Sequence, residues 1–201
     1  MSETGVSTGE RGRRRPARER LLAAAARRFY ADGVAATGID TITAEAGVAK
    51  MSLYNNFSSK ADLVRAYLDA RHEEWLGLYR ARLEQARGPR DGVLAVFDAY
   101  ADHAAFAYEH GFRGCGLLNA AAELPAGDAG RAVVRAHKEE VERLIAGHVE
   151  QLLPGRPDEA QATAEHLAFL LEGAMARAGL EGDGDRLQHA RAMAAALLDR
   201  L

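Results

Sequence analysis

Cysteine, lysine, proline and aromatic residues are all scarce in this chain, and the scarcities narrow what it can be. A single cysteine, Cys115, in 201 residues leaves no intramolecular disulfide framework and no Cys-rich zinc site. The seven histidines, at 72, 103, 110, 137, 148, 166 and 189, show no metal spacing backed by other ligands. His103 and His110 lie seven apart on one predicted helix, too thin a signal for zinc. No apolar run nears the ~18 residues of a membrane span. Arg13-Arg14-Arg15 ahead of LLAAAA has the look of a twin-arginine export signal, but six apolar residues ending at Arg27-Arg28 cannot serve as its hydrophobic region. Lysine occurs only at 50, 60 and 138, so arginine dominates; with the many alanines, this suggests a GC-rich bacterial genome. Five prolines and 48% hydrophobic residues leave room for one large core, or a small and a medium one. A cytoplasmic protein without metal or cofactor is expected.

What is present is concentrated between Thr37 and Leu63, TGIDTITAEAGVAKMSLYNNFSSKADL. Thr37 with Asp40 has capping-box spacing, and Ile39, Ile42 and Ala46 fall on one helical face. Gly47 can leave that helix in the left-handed region, and Val48 plugs the turn. Leu53 and Phe57 give a second helix its inward face. An outward face must then be drawn from Lys50, Met51, Ser52, Tyr54, Asn55 and Asn56. Ser59 with Asp62 opens a third helix, with Lys60 in its first turn. A lysine is electrostatically wrong there unless a phosphate sits nearby. The arrangement reads as a helix-turn-helix that lays one helix in the major groove of DNA. A helix–Gly–helix also occurs in ordinary helical domains, so it does not decide the matter alone.

Two further features favour DNA. Arg18, Leu21, Leu22, Ala25, Phe29 and Gly33 describe an amphipathic helix closed by glycine, the platform a three-helix unit requires. Charge is also divided: residues 1–60 carry a net +4 within a chain of −3, leaving −7 for residues 61–201. Only the N-terminal part suits a polyanion. Met1 to Gly12, polar and without periodicity, is expected to be a disordered tail, and Arg13 to Arg15 to be a basic arm or a solubilising one.

Arg18, Leu21, Ala25, Phe29, Gly33, Thr37, Ile42, Ala46-Gly47-Val48, Leu53-Tyr54, Phe57, Lys60 and Leu63 together resemble the TetR/AcrR-type transcriptional regulators, over about residues 16–63. Three positions depart from the pattern. Ala49 stands where a capping Ser is frequent, Met51 where Gly is frequent, and Asn55-Asn56 interrupts the usual Tyr-x-His-Phe. The resemblance implies that Thr37, Thr41, Tyr54 and Lys60 grip phosphates while Lys50, Met51, Ser52 and Asn55 reach bases, with Asn56 beside them. Lysine can donate to guanine, asparagine can pair with adenine, and a methionine can lie on a thymine methyl.

Beyond Leu63 the pattern is helical throughout, giving an all-α chain of about nine helices. The division expected is a tail over 1–12, a DNA-binding head over 13–62, and a ligand-binding and dimerisation domain over 63–201. Long helices are predicted over 60–87, 91–109 and 128–152, with a short one inside GFRGCGLLNAAAELPAG. The last two cover 158–179 and 184–200. Trp75, Tyr79, Phe97, Tyr100, Phe106, Leu117, Leu118 and Asn119 gather most of the aromatics between the long helices, as a cavity for a small organic effector would need. Plain core packing is the alternative for each. Leu167, Leu171, Ala174 and Ala178, with Leu187, Ala194 and Leu197 on the next helix, form stripes that can either build a four-helix bundle between two subunits or face the chain's own core. The family resemblance implies dimerisation here, and a two-fold then requires a palindromic operator. Glu123 is free to meet a cationic ligand or to serve as surface charge. Cys115, flanked by glycines near Arg113, suits either electrophile sensing or packing.

The function expected is a ligand-responsive transcriptional regulator, most simply a repressor, that binds double-stranded DNA as a homodimer and is released by a small molecule. A helical adaptor whose helix-turn-helix binds protein is the alternative. An all-α enzyme using Cys115 or Glu123 has no readable base–nucleophile pair and leaves the basic head unexplained.

Overall fold

A computed structural model describes residues 16–106 and 109–201; the tail and arm read over 1–15 lie outside them, as does Tyr108. Among the described residues there are nine helices: α1 (Ala17–Ala31), α2 (Ile39–Ala46), α3 (Lys50–Tyr54), α4 (Lys60–Leu83), α5 (Pro89–Ala104), α6 (Gly116–Ala122), α7 (Ala129–Leu152), α8 (Pro157–Glu181) and α9 (Asp185–Leu198). No strand occurs among these residues, and no helix is long and apolar enough to cross a membrane.

The head is built as the apolar spacing dictates. Leu21, Ala24, Ala25 and Phe29 bury one face of α1 against Ile42 and Ala46 of α2 and Leu53 of α3. Gly47 ends α2 with φ +62°, where a side chain would be strained, and its carbonyl and that of Ala46 both accept from Arg20. That guanidinium satisfies carbonyls at the negative end of the helix and ties α1 to the turn. Arg18 lies over the Phe57 ring, 5.2 Å from its centroid. Ala49 precedes α3 without any side-chain cap, as its sequence implies.

Ser59 caps α4 by accepting from the Asp62 amide. The reciprocal arm of the cap reaches one residue further back than a capping box would, since Asp62 accepts from the Ser58 amide at 2.9 Å. α4 runs 24 residues, ~36 Å, from the head into the larger helical layer. It ends at Leu83, short of the expected residue 87. At its far end Gly88 and Pro89 start α5, whose residues Gly92 to Phe97 are all buried. α5 is therefore the central helix, packed by α4, α7 and α9, while α8 joins α7 to α9. It ends at Ala104 rather than 109, where the Ala105 amide is shared between two carbonyls and the turn tightens.

Candidate nucleic-acid interface and ligand cavity

The outward side of α3 carries Lys50, Met51, Tyr54 and, at its C-cap, Asn55, all exposed. Met51 is 69% exposed, a thioether turned largely to solvent. Thr41 is exposed on α2, and Lys60 is half-buried at the start of α4. Lys50 meets Asp40 at 2.8 Å, a contact that raises its pKa above the usual lysine value. Behind this face Glu45 takes hydrogen bonds from both Arg27 and Arg28. Burial pushes the Glu45 carboxyl up, but the two guanidinium groups outweigh it and hold the pKa below the usual range.

Two expected contact residues are otherwise engaged. Thr37 is buried, and its hydroxyl donates to the Gly33 carbonyl at 2.6 Å instead of capping α2. The cap position belongs to Gly38, so the Thr37 side chain fastens the turn from within and presents no hydroxyl to a phosphate. Asn56 is turned back, donating to the Ser52 carbonyl at 2.7 Å to finish the end of α3. Ser52 itself is half-buried.

A cavity of about 210 Å³ opens between α1, α4, α5, α6 and α7. Of the residues expected there, Trp75, Tyr100, Phe106 and Leu117 line it. Tyr79, Phe97, Leu118 and Asn119 do not. Tyr79 is stacked behind Trp75, with ring centroids 5.7 Å apart, and bonds His148 at 2.8 Å. Phe97 is fully buried on α5, Leu118 is exposed, and Asn119 donates to the Arg113 carbonyl. Residues not anticipated for the wall are Tyr30, Tyr67, Arg71, Cys115 and His137. Tyr30, Tyr67, Arg71 and His137 sit on three different helices and Cys115 at the N-cap of α6, so only the tertiary arrangement reveals the gap between them.

Part of the wall is a continuous polar network. His137 contacts His72 Nδ1 at 2.8 Å and the Tyr100 hydroxyl at 3.2 Å. Lys138 donates to the same hydroxyl at 3.3 Å, reaches Glu172 at 2.7 Å, and lies 3.6 Å from Cys115 Sγ. Burial, reinforced by the Lys138 charge and the neighbouring histidines, drives His137 down to about 3. Burial with the Arg71 and Lys138 charges drives His103 down to about 4. The cavity thus presents neutral imidazoles at physiological pH. Among the described residues, no cluster of three or more His, Cys, Asp or Glu stands ready to hold a metal.

The cavity touches the head directly. Tyr30 belongs to α1 and accepts from the Arg113 amide at 2.6 Å, while the Arg113 side chain donates to the Tyr30 and Ala31 carbonyls. Glu123, exposed at the end of α6, accepts from the Val34 and Ala35 amides.

The stripes expected at a subunit contact turn inward. Leu167, Leu171, Ala178, Leu187 and Ala194 are all buried within the chain, so they cannot meet a second copy. Ala174 and Leu197 are half-buried. The outward faces of α8 and α9 carry Phe169, Leu180 and Met193, which are 66%, 84% and 50% exposed.

Comparison with known proteins agrees with this architecture. The family described as "Bacterial regulatory proteins, tetR family" matches residues 21–67. The HTH-type transcriptional regulator TtgR of Pseudomonas putida is 44% identical over 64 residues, which are 32% of this chain and 30% of TtgR. The HTH-type transcriptional activator FasR of Mycolicibacterium smegmatis is 35% identical over 132 residues, covering 59% of this chain and 58% of FasR. The chain thus spans well under two thirds of these curated relatives. Solved structures match over nearly the full length. A TetR-family transcriptional regulator from Streptomyces coelicolor is 34% identical with a TM-score of 0.79, covering 92% of this chain and 94% of that one. A TetR transcriptional regulator from Chloroflexus aurantiacus is 28% identical with a TM-score of 0.77, covering 91% and 94%. With the helix-turn-helix geometry, the nine-helix order and this full-length likeness, the chain belongs to the TetR family of transcriptional regulators.

Proposed function

We propose that the protein is a ligand-responsive repressor that binds a palindromic operator as a homodimer and lets go when a small molecule fills the cavity. One observation carries this reading: Tyr30 is at once a residue of α1, the platform of the head, and part of the cavity wall. Whatever enters the cavity therefore bears on the element that supports α3. Residues 13–62 act as the DNA-binding unit and 63–201 as the effector and dimerisation unit. Thr41, Tyr54 and Lys60 approach phosphates, while Lys50, Met51, Ser52 and Asn55 face bases. The exposed apolar side chains of α8 and α9 supply the subunit contact, and the two-fold between copies sets the half-site spacing. Occupation of the cavity shifts α1 and α4, so the recognition helices lose their match to successive major grooves. A coupling of ~1–3 kcal/mol gives a ~5–150-fold loss of operator affinity.

The test is retention of a labelled duplex covering the gene's own upstream region, over a salt series. Selective retention by a dimer, weakening steeply with salt, supports the reading. Failure there and failure to enrich any palindrome from random duplexes would count for the adaptor instead.

A further inference from the structure

We infer that the effector is a small, mostly apolar molecule carrying an sp² oxygen, a carboxylate or a ketone, that accepts hydrogen bonds from Tyr67, Arg71 and Trp75 of α4. This inference rests on the ligand-responsive reading above and gives that cavity its chemistry.

The argument is one of unmet hydrogen bonds. Most polar groups of the wall are already partnered. The Tyr30 hydroxyl is engaged by Arg113 and Gly114, the Tyr100 hydroxyl by His137 and Lys138, and His137 by His72 and Tyr100. At the rim, Arg27 is paired with Glu45 and Glu109 with Arg28. The exceptions fall on one helix. Among the described residues, Arg71 Nε and Trp75 Nε1 are buried with no hydrogen-bond partner, and Glu74 Oε2 beside them is ion-paired with Arg71 Nη1. The Tyr67 hydroxyl has none among the described residues either, although Tyr67 is only 1% exposed and lines the cavity. It lies against the first residue of α6, close enough that a Cβ on Gly116 would stand 3.0 Å from it.

Residues 67, 71 and 75 are spaced i, i+4, i+8, so they form a column ~12 Å long on one face of α4. All three can donate. Indole and protonated guanidinium nitrogens cannot accept, so the occupant must bring acceptors. Buried donors without partners are costly, and the free chain carries that cost until an acceptor arrives. Water does not reach the Arg71 and Trp75 nitrogens in the free chain, so making these bonds requires a small adjustment of α4 side chains. That adjustment is the kind of event an effector needs to cause. The guanidinium of Arg71, though paired with Glu74 through Nη1, favours a carboxylate through its remaining donors. Aromatic faces of Tyr67, Trp75, Tyr100 and Phe106 suit a flat apolar body. A space of about 210 Å³ lies below the ~300–1,000 Å³ of sites for drug-sized ligands. A single ring with a short oxygenated arm fits that size.

Trp75 is the only tryptophan of the chain, so its emission reports on the cavity directly. The probes are phenylacetate, acetophenone, benzylamine and ethylbenzene, titrated into the full chain. Saturable emission changes with phenylacetate or acetophenone at millimolar concentrations, at least ~10-fold tighter than with the amine or the hydrocarbon, are expected. Tyr67→Phe, which keeps the ring, should weaken the oxygenated probes ~3–10-fold and leave ethylbenzene unaffected. Equal binding of ethylbenzene, or no saturable change with either oxygenated probe, overturns the inference without any variant being needed. Operator retention read in the same samples separates the two claims. Binding of the oxygenated probes without release keeps the chemical class and removes the ligand-responsive reading. Release by benzylamine or ethylbenzene alone does the reverse.

Discussion

The Ala35 amide donates to the Glu123 carboxylate at 2.6 Å, and that of Val34 to its other oxygen at 3.1 Å, so the end of α6 holds the turn that leaves α1. The turn is shaped for it. Gly33 has φ +94°, and a Cβ there would stand 2.8 Å from Glu123 Oε1. Glu123→Ala should cost about 1–2 kcal/mol, the range for charge-assisted bonds at a site open to solvent. For a chain of this length that lowers Tm by roughly 2–8 °C. Gly33→Ala should cost more, because it adds backbone strain to the collision. If this clasp carries coupling, Glu123→Ala also narrows the difference in operator affinity with and without effector. Calorimetric melting and duplex retention measure the two effects separately, and a variant with unchanged Tm would show the clasp to be incidental.

On the outward face, Asp40 holds Lys50 in the free protein, and both side chains are largely exposed. Near a phosphate backbone the Asp40 charge is repulsive while Lys50 is attracted. Asp40→Asn should therefore tighten duplex binding by several-fold, and Lys50→Ala should weaken it and lower the salt slope by about 1 if Lys50 meets a phosphate. If Lys50 instead reads a guanine, the loss is concentrated on the cognate sequence, at ~1–3 kcal/mol. Retention on matched and scrambled duplexes over a salt series distinguishes the two roles. Weaker binding by Asp40→Asn would mean that Asp40 positions Lys50 rather than restrains it.

The helix order and the head were legible because they rest on local signals. Gly47, Ser59 and Pro89 act within one turn of the chain, and the Ile42, Leu53 and Phe57 spacing records burial directly. Local spacing is silent where a partner lies elsewhere. Thr37 has the spacing of a cap, but Gly33, four residues back, offers its hydroxyl a carbonyl inside the fold. On α8 and α9 both faces carry apolar residues, and periodicity cannot say which one meets the chain's own core. The larger stripe proved to be internal, and the outward one shows only as Phe169, Leu180 and Met193 out of register with it. The cavity wall is only half visible in the sequence for the same reason. Tyr30, Tyr67 and His137 come from three helices, and no spacing links them.

The outward apolar residues give the dimer a direct test. Phe169, 66% exposed, borders open apolar hollows on α8 and α9 with Leu170, Ala174, Ala190 and Met193. Phe169→Asp would bury a carboxylate in any contact formed there, a penalty of several kcal/mol. Sedimentation at micromolar concentration should then give a monomer whose melt no longer depends on protein concentration, and duplex binding should lose its palindrome dependence. Leu167→Ala, by contrast, should lower stability by ~2–5 kcal/mol, because Leu167 is fully buried in the chain. A Phe169→Asp protein that stays dimeric would move the contact elsewhere.

Acid should weaken the larger helical layer through its histidines. His137 and His103 are held near 3 and 4 when folded, by burial first and by neighbouring cations second, against about 6.5 when unfolded. The folded values lie below the unfolded one, so the unfolded chain binds more protons across that interval. Stability is therefore complete above about pH 6.5 and declines as the pH falls toward the folded values. Each histidine should contribute a loss of about 2 kcal/mol between pH 7 and 5. Glu45 and Asp199, held low by arginine partners, release their share only at more acidic pH, so the upper window belongs to the imidazoles. Denaturant midpoints at pH 7, 6 and 5 measure the slope. His137→Asn should lower the value at pH 7, since it breaks the contacts with His72 and Tyr100, yet flatten the decline below it. An unchanged slope would show that protons reach His137 in the folded chain, and that its burial does not hold it neutral.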